Sequence, residues 1–232
     1  MSKLLLPLAV VPLVFSFAAP AFAADPAAPP EAETPKKNPA QDPVVHTRRG
    51  GFTFGFDAAF GTGNITGYPL DVSKLGKAKY RADLGTAVGA NGTAWIGGAL
   101  TDWLVIGVGA GGTYSTGNGL VSKGFTFVFH TEAYPLFWLG GFWREAGIAL
   151  DTGAGQITAE AADGSTSKTS GPLIDSGAAS RVGASLFYDG LRLWKVSTGP
   201  FVAFDYTWSS ALSHPLFLVG LRTSLYSGAP TK

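Results

Sequence analysis

From Gly51 onward, large apolar side chains alternate with small ones along the chain. Between 52 and 60 the even positions are Phe, Phe, Phe, Ala and Phe, and the odd positions between them are Thr, Gly, Asp and Ala. The same period of two returns at 104–111, 124–132, 181–186, 201–208 and 217–225. Side chains of an extended strand point alternately to two faces, so this period predicts β-strands.

The face of the strands that carries the small side chains narrows the choice of fold class. This face consists mostly of Gly, Ala, Ser and Thr with scattered ions of both signs. Only 14% of the whole chain is charged, against roughly a quarter in soluble proteins. Such a face suits a confined lumen, whereas the aromatic face, which includes Phe54, Phe127 and Phe204, suits hydrocarbon. Because lipid offers the backbone no hydrogen bonds, a spanning sheet must close on itself. The sequence therefore predicts a transmembrane β-barrel.

The number of strands follows from the alternating segments, which lie at 51–62, 80–99, 103–115, 124–134, 142–155, 174–188, 194–207 and 214–226. The connections alternate between short ones, at 100–102, 135–141 and 189–193, and longer ones, at 63–79, 116–123, 156–173 and 208–213. Short periplasmic turns and longer outer loops give this pattern in bacterial barrels, whose strand number is even. We expect an eight-stranded antiparallel up-and-down barrel with both of its ends on the periplasmic side.

Asn91-Gly92 is a strong hairpin signal within the second segment. A turn there would leave only seven residues, 93–99, as a separate strand, which is shorter than a span requires. We interpret the pair as a β-bulge in one long strand, with a turn as the alternative.

The N-terminus predicts export. A cationic start, an apolar run at 4–17 and the sequence Ala-Phe-Ala at 21–23 indicate a signal peptide at 1–23, and the run is too short for a membrane helix. Residues 24–49 are rich in Pro and Ala, which predicts a disordered periplasmic tether or, alternatively, a docking arm. The barrel is assigned to 50–226 and a short C-terminal tail to 227–232.

Projecting the alternation inward places charged side chains in or at the mouths of the lumen. They are Asp57, Arg81, Asp83, His130, Glu132, Glu145, Asp151, Arg181, Lys195, Asp205 and Arg222. An eight-stranded barrel is only wide enough for its own side chains to fill, and an unpaired buried ion costs several kcal/mol. These groups are therefore expected to pair and to form a rigid structural plug, with a narrow, non-specific ion or solute path of porin type as the alternative.

Aromatic side chains near the segment ends predict belts at the two membrane interfaces, because these rings join an apolar body to a polar edge. The candidates are Trp103, Tyr134, Trp138, Trp143, Trp194, Trp208 and Tyr226. Trp95 fits neither belt.

Taken together, the signal peptide, the eight segments and the closing segment 214–226 resemble the small Gram-negative outer-membrane barrels of OmpA/OmpX-like architecture. The resemblance covers 51–226 and is one of pattern. It implies location in the outer membrane, contact with outer-membrane lipid, and a terminal aromatic residue, here Tyr226, that the barrel-assembly machinery reads. The six residues after Tyr226 depart from that family pattern.

Several function classes are disfavoured. Seventeen basic against sixteen acidic residues leave no basic excess for nucleic acid, and the absence of cysteine removes thiolate metal sites and cysteine nucleophiles. No cofactor or metal motif is found. A lipid-acting barrel hydrolase would need a histidine beside a serine, yet His130 is followed by Glu132 with no serine within two residues.

The remaining alternative is a soluble periplasmic carrier of lipocalin type, which would need a more polar outer face. We expect an outer-membrane barrel with a structural or surface-interaction role through its outer loops and an unidentified periplasmic or extracellular partner, and without catalysis.

Overall fold

The computed structural model describes residues 49–163 and 173–228. The predicted signal peptide, the tether except for its last residue Arg49, the middle of the 156–173 loop and the last four residues lie outside the described residues. The domain assignments made there stay predictions. Arg49 itself is buried in the barrel, whereas the predicted boundary of the barrel was residue 50.

Ten strands occur in the described residues, and eight long ones form the barrel. In chain order they are β1 (Gly51–Gly67), β2 (Ala82–Thr101), β3 (Leu104–Gly117), β4 (Leu120–Ala133), β5 (Ala146–Ala161), β6 (Ile174–Asp175), β7 (Ala179–Tyr188), β8 (Leu191–Leu193), β9 (Val196–Trp208) and β10 (Leu212–Tyr226). The short strands β6 and β8 pair with β5 and β9. Within the same described residues, three 3-10 helices lie in connections: Ala78–Tyr80, Phe137–Leu139 and Gly141–Glu145.

The wall is closed. Each long strand pairs antiparallel with the next along the chain, and β10 pairs with β1 over the register from Thr53–Tyr226 to Gly67–Leu212. This confirms the eight-stranded antiparallel up-and-down barrel. No helix in the described part of the chain is long and apolar enough to cross a membrane.

The outer face of the wall is apolar, as the alternation predicted. Phe54, Phe127 and Phe204 are 45%, 66% and 39% exposed, and other large apolar residues on all eight long strands share their outward direction. The inner face carries the small and charged residues, because a pleated strand separates odd from even positions.

We name the two ends of the barrel by their connections. The termini end holds the start of β1, the end of β10 and the connections 102–103, 134–145 and 189–195. The loop end holds 68–81, 118–119, 162–163, 173–178 and 209–211.

Loop lengths alternate less than predicted. The segment 116–123, predicted as a longer loop, is mostly strand, and β3 and β4 join through the two-residue turn Asn118-Gly119. Both turn residues have positive φ, 46° and 70°, which is the backbone geometry of a tight hairpin turn. Conversely, the connection predicted as short at 135–141 spans 134–145 and contains two 3-10 helices.

Asn91-Gly92 lies within one continuous strand, as predicted, but not at a bulge. The pairs Ala59–Asn91 and Ala58–Gly92 belong to an unbroken register. The irregularities of β2 lie near its ends, between Asn64 and Thr66 on β1 and between Ala99 and Thr101. The bulge assignment was therefore wrong. Although the sequence Asn91-Gly92 favours a turn, these two residues keep the regular β1–β2 register of the residues on either side.

Apolar side chains seal the loop end of the lumen. Ile65, Leu84, Ile157, Ile174 and Leu212 are fully or almost fully buried and pack together. Ile174 comes from the short strand β6, which folds beside β5. We call these five residues the apolar cap.

Candidate functional site: a charged network in the lumen

The register of the strands sets charged residues opposite one another inside the barrel. His130 on β4 faces Asp151 on β5, and Asp57 on β1 faces Arg222 on β10. Directly opposed residues in an antiparallel pair have Cβ atoms about 4.5–5.5 Å apart, so ionic side chains at these positions can meet without any loop.

His130 lies at the centre of the network. Its Nδ1 is 2.7 Å from Oδ1 of Asp151 and its Nε2 is 2.8 Å from Oε1 of Glu132. The imidazole is also stacked on the indole of Trp95, with ring centroids 4.4 Å apart. Ionised carboxylates only accept hydrogen bonds, so an imidazole carrying a proton on both nitrogens satisfies both neighbours.

Arg222 is the cation on the other side of Glu132. Its guanidinium donates to Glu132 and to Oγ of Ser224, the latter at 3.1 Å, and lies 3.6 Å from the ring centroid of Phe187. Its Nε is 3.2 Å from Oδ1 of Asp189, an ion-pair contact whose N–H is not aligned for a hydrogen bond. All of these groups are buried, so the ion pairs are shielded from water.

Two tyrosines close the network toward the termini end. The hydroxyls of Tyr134 and Tyr226 are 2.9 Å apart, and Tyr134 donates to Asp189 at 2.8 Å. Burial, followed by the neighbouring carboxylates of Asp189 and Glu132, raises the pKa of the Tyr134 phenol well above its ordinary value. The phenol therefore stays neutral and acts as a hydrogen-bond donor.

Arg49 covers these tyrosines from the termini end. Its guanidinium lies 3.5 Å from the ring centroid of Tyr134 and donates to Oε2 of Glu145 at 2.6 Å. The backbone N–H of Arg49 donates to Oδ1 of Asp102 at 2.6 Å. One residue thus joins β1 to the 102–103 turn and the 134–145 connection.

A second ionic group lies nearer the loop end. Arg181 donates from Nε and Nη2 to the two carboxylate oxygens of Asp205, at 3.1 and 2.9 Å, and from Nη1 to Thr126 at 2.8 Å. His214 and Asn91 lie beside a cavity of about 10 Å³ next to this group. A water molecule needs roughly 10–15 Å³, so this cavity holds at most about one.

The other predicted lumen residues lie at the mouths. Arg81 and Asp83 are half-exposed near the loop end, with Arg81 Nη2 3.6 Å from Asp83 Oδ2. Lys195 lies at the termini end, where its Nζ donates to the backbone oxygen of Ser227 at 2.8 Å. These three are thus separate from the central network and from the Arg181–Asp205 group, which together hold the other eight predicted residues.

The predicted interface aromatics fall into two groups. Trp103, Trp138, Trp143, Trp194 and Trp208 are all exposed, between 38% and 72%. Tyr134 and Tyr226 are instead fully buried in the lumen. Their positions correct the prediction, and the reason is that their hydroxyls complete the hydrogen bonding of buried carboxylates.

Sequence reasoning missed five further members of the network: Arg49, Trp95, Asp189, Tyr134 and Tyr226. The period of two could have indicated three of them. Tyr134 is an even-numbered residue like the inward-facing His130 and Glu132 before it, and Tyr226 is even-numbered like Arg222. Trp95 is odd-numbered like Asn91 on the same strand. Arg49 and Asp189 lie beyond strand ends, where alternation carries no information.

Chemically, the arrangement is a set of buried, mutually paired ions. Six buried or half-buried carboxylates meet three guanidinium groups and one imidazole within a lumen that is capped by apolar residues. In the described part of the chain, no group of three or more His, Asp or Glu residues is arranged to hold a metal ion.

Comparisons with known proteins give structural matches only. No protein-family model and no curated protein matches the chain. The structure of Ail, the attachment invasion locus protein of Yersinia pestis, is similar over 76% of this chain and 99% of that chain, with 8% identity and a TM-score of 0.45. A second structure of Ail, in complex with the heparin analogue sucrose octasulfate, has the same coverage, 11% identity and a TM-score of 0.44.

Proposed function

We propose that this chain is an outer-membrane β-barrel with a filled lumen, which acts as a rigid, non-catalytic scaffold presenting its loop-end connections for surface contacts. The observation that carries the proposal is the distribution of apolar and charged side chains, which is the reverse of that in soluble proteins. Large apolar side chains cover the outside of a closed wall, and paired ions fill the inside.

The outer surface supports membrane insertion. Monomeric soluble proteins rarely expose contiguous apolar patches larger than a few hundred Å², whereas this barrel exposes large apolar side chains on every long strand. A closed barrel also leaves no strand edge to be satisfied in hydrocarbon. Exposed tryptophans at both ends, such as Trp138 and Trp208, match the interfacial belts of such proteins.

The filled lumen supports a structural role over a pore. The apolar cap covers the loop end, and the Arg49 side chain covers the network from the other end. Four of the lumen carboxylates pair with guanidinium groups and Asp151 pairs with His130, so an ion that entered the lumen would compete with these pairs. We propose that the barrel conducts neither ions nor solutes at a substantial rate.

The loop end supplies the surface for interaction. The 68–81 connection carries three lysines, at 74, 77 and 79, together with the exposed side chains of Leu70 and Val72. Ser73 donates to the carboxylate of Asp71 from both its hydroxyl and its backbone N–H, which holds the pKa of Asp71 below its ordinary value. A connection of this composition suits a partner outside the membrane.

Assembly would require recognition of β10 before the barrel closes. We propose that the barrel-assembly machinery reads this last strand, as expected from the family resemblance. Because the side chain of Tyr226 ends inside the lumen, that residue is accessible to a recognition factor only while β1 and β10 are unpaired.

Membrane insertion is tested by extraction of envelopes from a Gram-negative host expressing the chain. The protein should stay in the outer-membrane fraction through a urea wash, leave it in detergent, and migrate differently on gels before and after boiling. A substitution of Phe127→Lys should lower the folded yield, since a midplane lysine facing lipid costs about 2–4 kcal/mol, while Phe127→Leu should not. Release of the wild-type protein by urea would contradict the proposal.

Conduction and catalysis have separate tests. Purified protein in planar bilayers should give no steady large-conductance steps, and their regular appearance would support the pore alternative. Incubation with lipid A or phospholipid vesicles should release no fatty acid. Hydrolysis that is lost on His130→Ala but kept in a folded Lys123→Ala variant would establish the enzyme alternative instead.

A further inference from the structure

His214 is a buried residue of β10 that takes no part in the ionic network. The residue is 3% exposed, and within the described part of the chain its Nε2 has no hydrogen-bond partner. Most buried polar atoms of native proteins have a partner, because an unsatisfied one has lost the hydrogen bond that water gave it in the unfolded chain. The space beside Nε2 is therefore where its partner belongs.

Thr113 on β3 carries a second buried polar atom of this kind. No atom of residues 49–163 or 173–228 forms a hydrogen bond with its buried Oγ1. Thr113 and His214 both line the cavity of about 10 Å³ beside the Arg181–Asp205 group. In the wall, β1 and β2 separate β10 from β3, so the two residues reach this cavity from strands that do not pair.

The cavity lies inside the barrel next to the apolar cap. On the inner face of β10, His214 comes two residues after Leu212 of the cap and two residues before Leu216. Leu216 lines the cavity as well. The volume is close to the roughly 10–15 Å³ that one water molecule needs, so the occupant is no larger than a water molecule or a small ion.

The charges around the cavity favour a neutral occupant. Arg181 and Asp205 both line it, and the guanidinium donates to both oxygens of the carboxylate, at 3.1 and 2.9 Å. Because these two charges compensate each other, a cation in the cavity would be repelled by Arg181 and an anion by Asp205. Neither ion would recover the free energy of its own dehydration. A water molecule has no net charge and both donates and accepts hydrogen bonds.

We propose that this cavity is a binding site for one water molecule, which bridges Nε2 of His214 and Oγ1 of Thr113. Thr126 supplies a third contact, because its Oγ1 accepts from Arg181 at 2.8 Å and its O–H is left to donate to the water. About three hydrogen bonds are typical of a buried water. Since water can donate or accept at the imidazole, it satisfies either tautomer of His214.

The bridge adds a connection across the lumen. It joins β10 to β3 and β4, next to the bidentate pair between Arg181 and Asp205. A water-mediated contact is enthalpically close to a direct hydrogen bond. The inference depends on the closed wall and not on the membrane location, so it stands or falls separately from the proposed function.

The first test compares two threonine-to-valine variants of the full chain by urea unfolding in detergent micelles. Valine keeps nearly the shape of threonine and removes the hydroxyl. Thr113→Val should raise the unfolding equilibrium constant about fivefold, which is the effect of losing one net hydrogen bond.

The matched control is Thr53→Val. The hydroxyl of Thr53 is also buried without a partner among the described residues, but it lies near the start of β1, at the other end of the barrel. Removal of a hydroxyl that has no partner should leave the unfolding equilibrium constant unchanged or lower it.

A double-mutant cycle ties the effect of Thr113→Val to the bridge. His214→Phe removes the imidazole nitrogen and fills the cavity with a larger ring, so a water molecule has no room. In that background Thr113→Val should leave the unfolding equilibrium constant unchanged to within about twofold. The proposal is overturned if Thr113→Val is neutral or stabilising in the wild-type background, or if its full effect persists beside His214→Phe.

A crystal structure of the full chain, at a resolution that shows ordered water, observes the occupant directly and does not depend on how the variants fold. Crystals soaked in rubidium bromide report ions by anomalous scattering. The expected result is a peak within hydrogen-bond distance of His214 Nε2 and Thr113 Oγ1, without an anomalous signal. The lack of a peak would show a dry cavity and an anomalous peak would show an ion, and either result would overturn the proposal.

Discussion

Glu132 is a fully buried carboxylate that has several charged and polar partners in the lumen. Its carboxylate pairs with Arg222 and His130, and its Oε2 lies 3.2 Å from the hydroxyl oxygen of Tyr134. Removing one partner of a buried ion pair costs about 3–5 kcal/mol, because it leaves the other charge uncompensated. We expect Glu132→Gln to lower the free energy of unfolding by that amount, measured by urea titration in lipid vesicles.

The matched control is Glu160→Gln, which removes a carboxylate from an exposed pair on the outer wall. Its cost should be about 1 kcal/mol or less. Similar losses for the two variants would show that the lumen is well hydrated, in conflict with the plug described above.

Gly55 illustrates a constraint on the inner wall that composition alone does not reveal. A Cβ at this position would overlap the indole of Trp95, and Trp95 is locked by its stack on His130. Overpacking a filled core costs about 1–3 kcal/mol, so Gly55→Ala should be destabilising by this amount in the same unfolding assay.

Gly92 is the control for that substitution, because it lies on the outer wall and a Cβ there comes no nearer than 3.7 Å to another atom. Gly92→Ala should be tolerated. The double variant Gly55→Ala/Trp95→Phe should recover part of the loss, and no recovery would locate the strain elsewhere.

At the scale of strands, the turn between β3 and β4 makes a separate prediction. Gly119 has φ of 70° and nothing within 4 Å of a built Cβ, so an Ala there meets only backbone strain. The left-handed conformation costs about 1–2 kcal/mol for a residue with a Cβ. We expect Gly119→Ala to lose this much stability, while Gly112→Ala within β3, where φ is not positive, should lose none.

The strands and turns also show how much of the fold can be predicted from the sequence. A period of two is a property of every strand, so it gave the strand number, the closure of the wall and the outward direction of Phe54, Phe127 and Phe204. The ends of strands have no such period. Segment 116–123 therefore looked like a loop, although the backbone needed only Asn118 and Gly119 to turn.

The network shows the corresponding limit for side chains. Alternation placed His130, Glu132 and Arg222 inside the lumen, but it could not say which ions pair, since pairing depends on register across strands that are distant in sequence. Tyr134 and Tyr226 were assigned to the interface because aromatic residues near strand ends usually lie there. Their place in the alternation predicted an inward direction instead. In the structure their hydroxyls lie in the lumen, where they donate hydrogen bonds to buried carboxylates.

For the molecule as a whole, Arg49 determines how the chain enters the barrel. Its guanidinium lies over Tyr134 and pairs with Glu145, while its backbone donates to Asp102. These contacts tie the start of β1 to two connections of the termini end. A barrel held in this way should stay closed at its termini end when the membrane-facing side of the wall fluctuates.

A double-mutant cycle measures this closure. Arg49→Ala should destabilise the barrel by about 3–5 kcal/mol, and in the Glu145→Ala background the same substitution should cost roughly 0.5–3 kcal/mol less. Lys195→Ala is the control at the same end, since its Nζ bonds only to an exposed backbone oxygen, and it should cost about 0.5 kcal/mol or less. Strict additivity in the cycle would mean that the stacking on Tyr134, and not the ion pair with Glu145, holds Arg49 in place. A stable barrel in the Arg49→Ala variant that also conducts ions would show that this side chain closes the lumen without contributing to its folding.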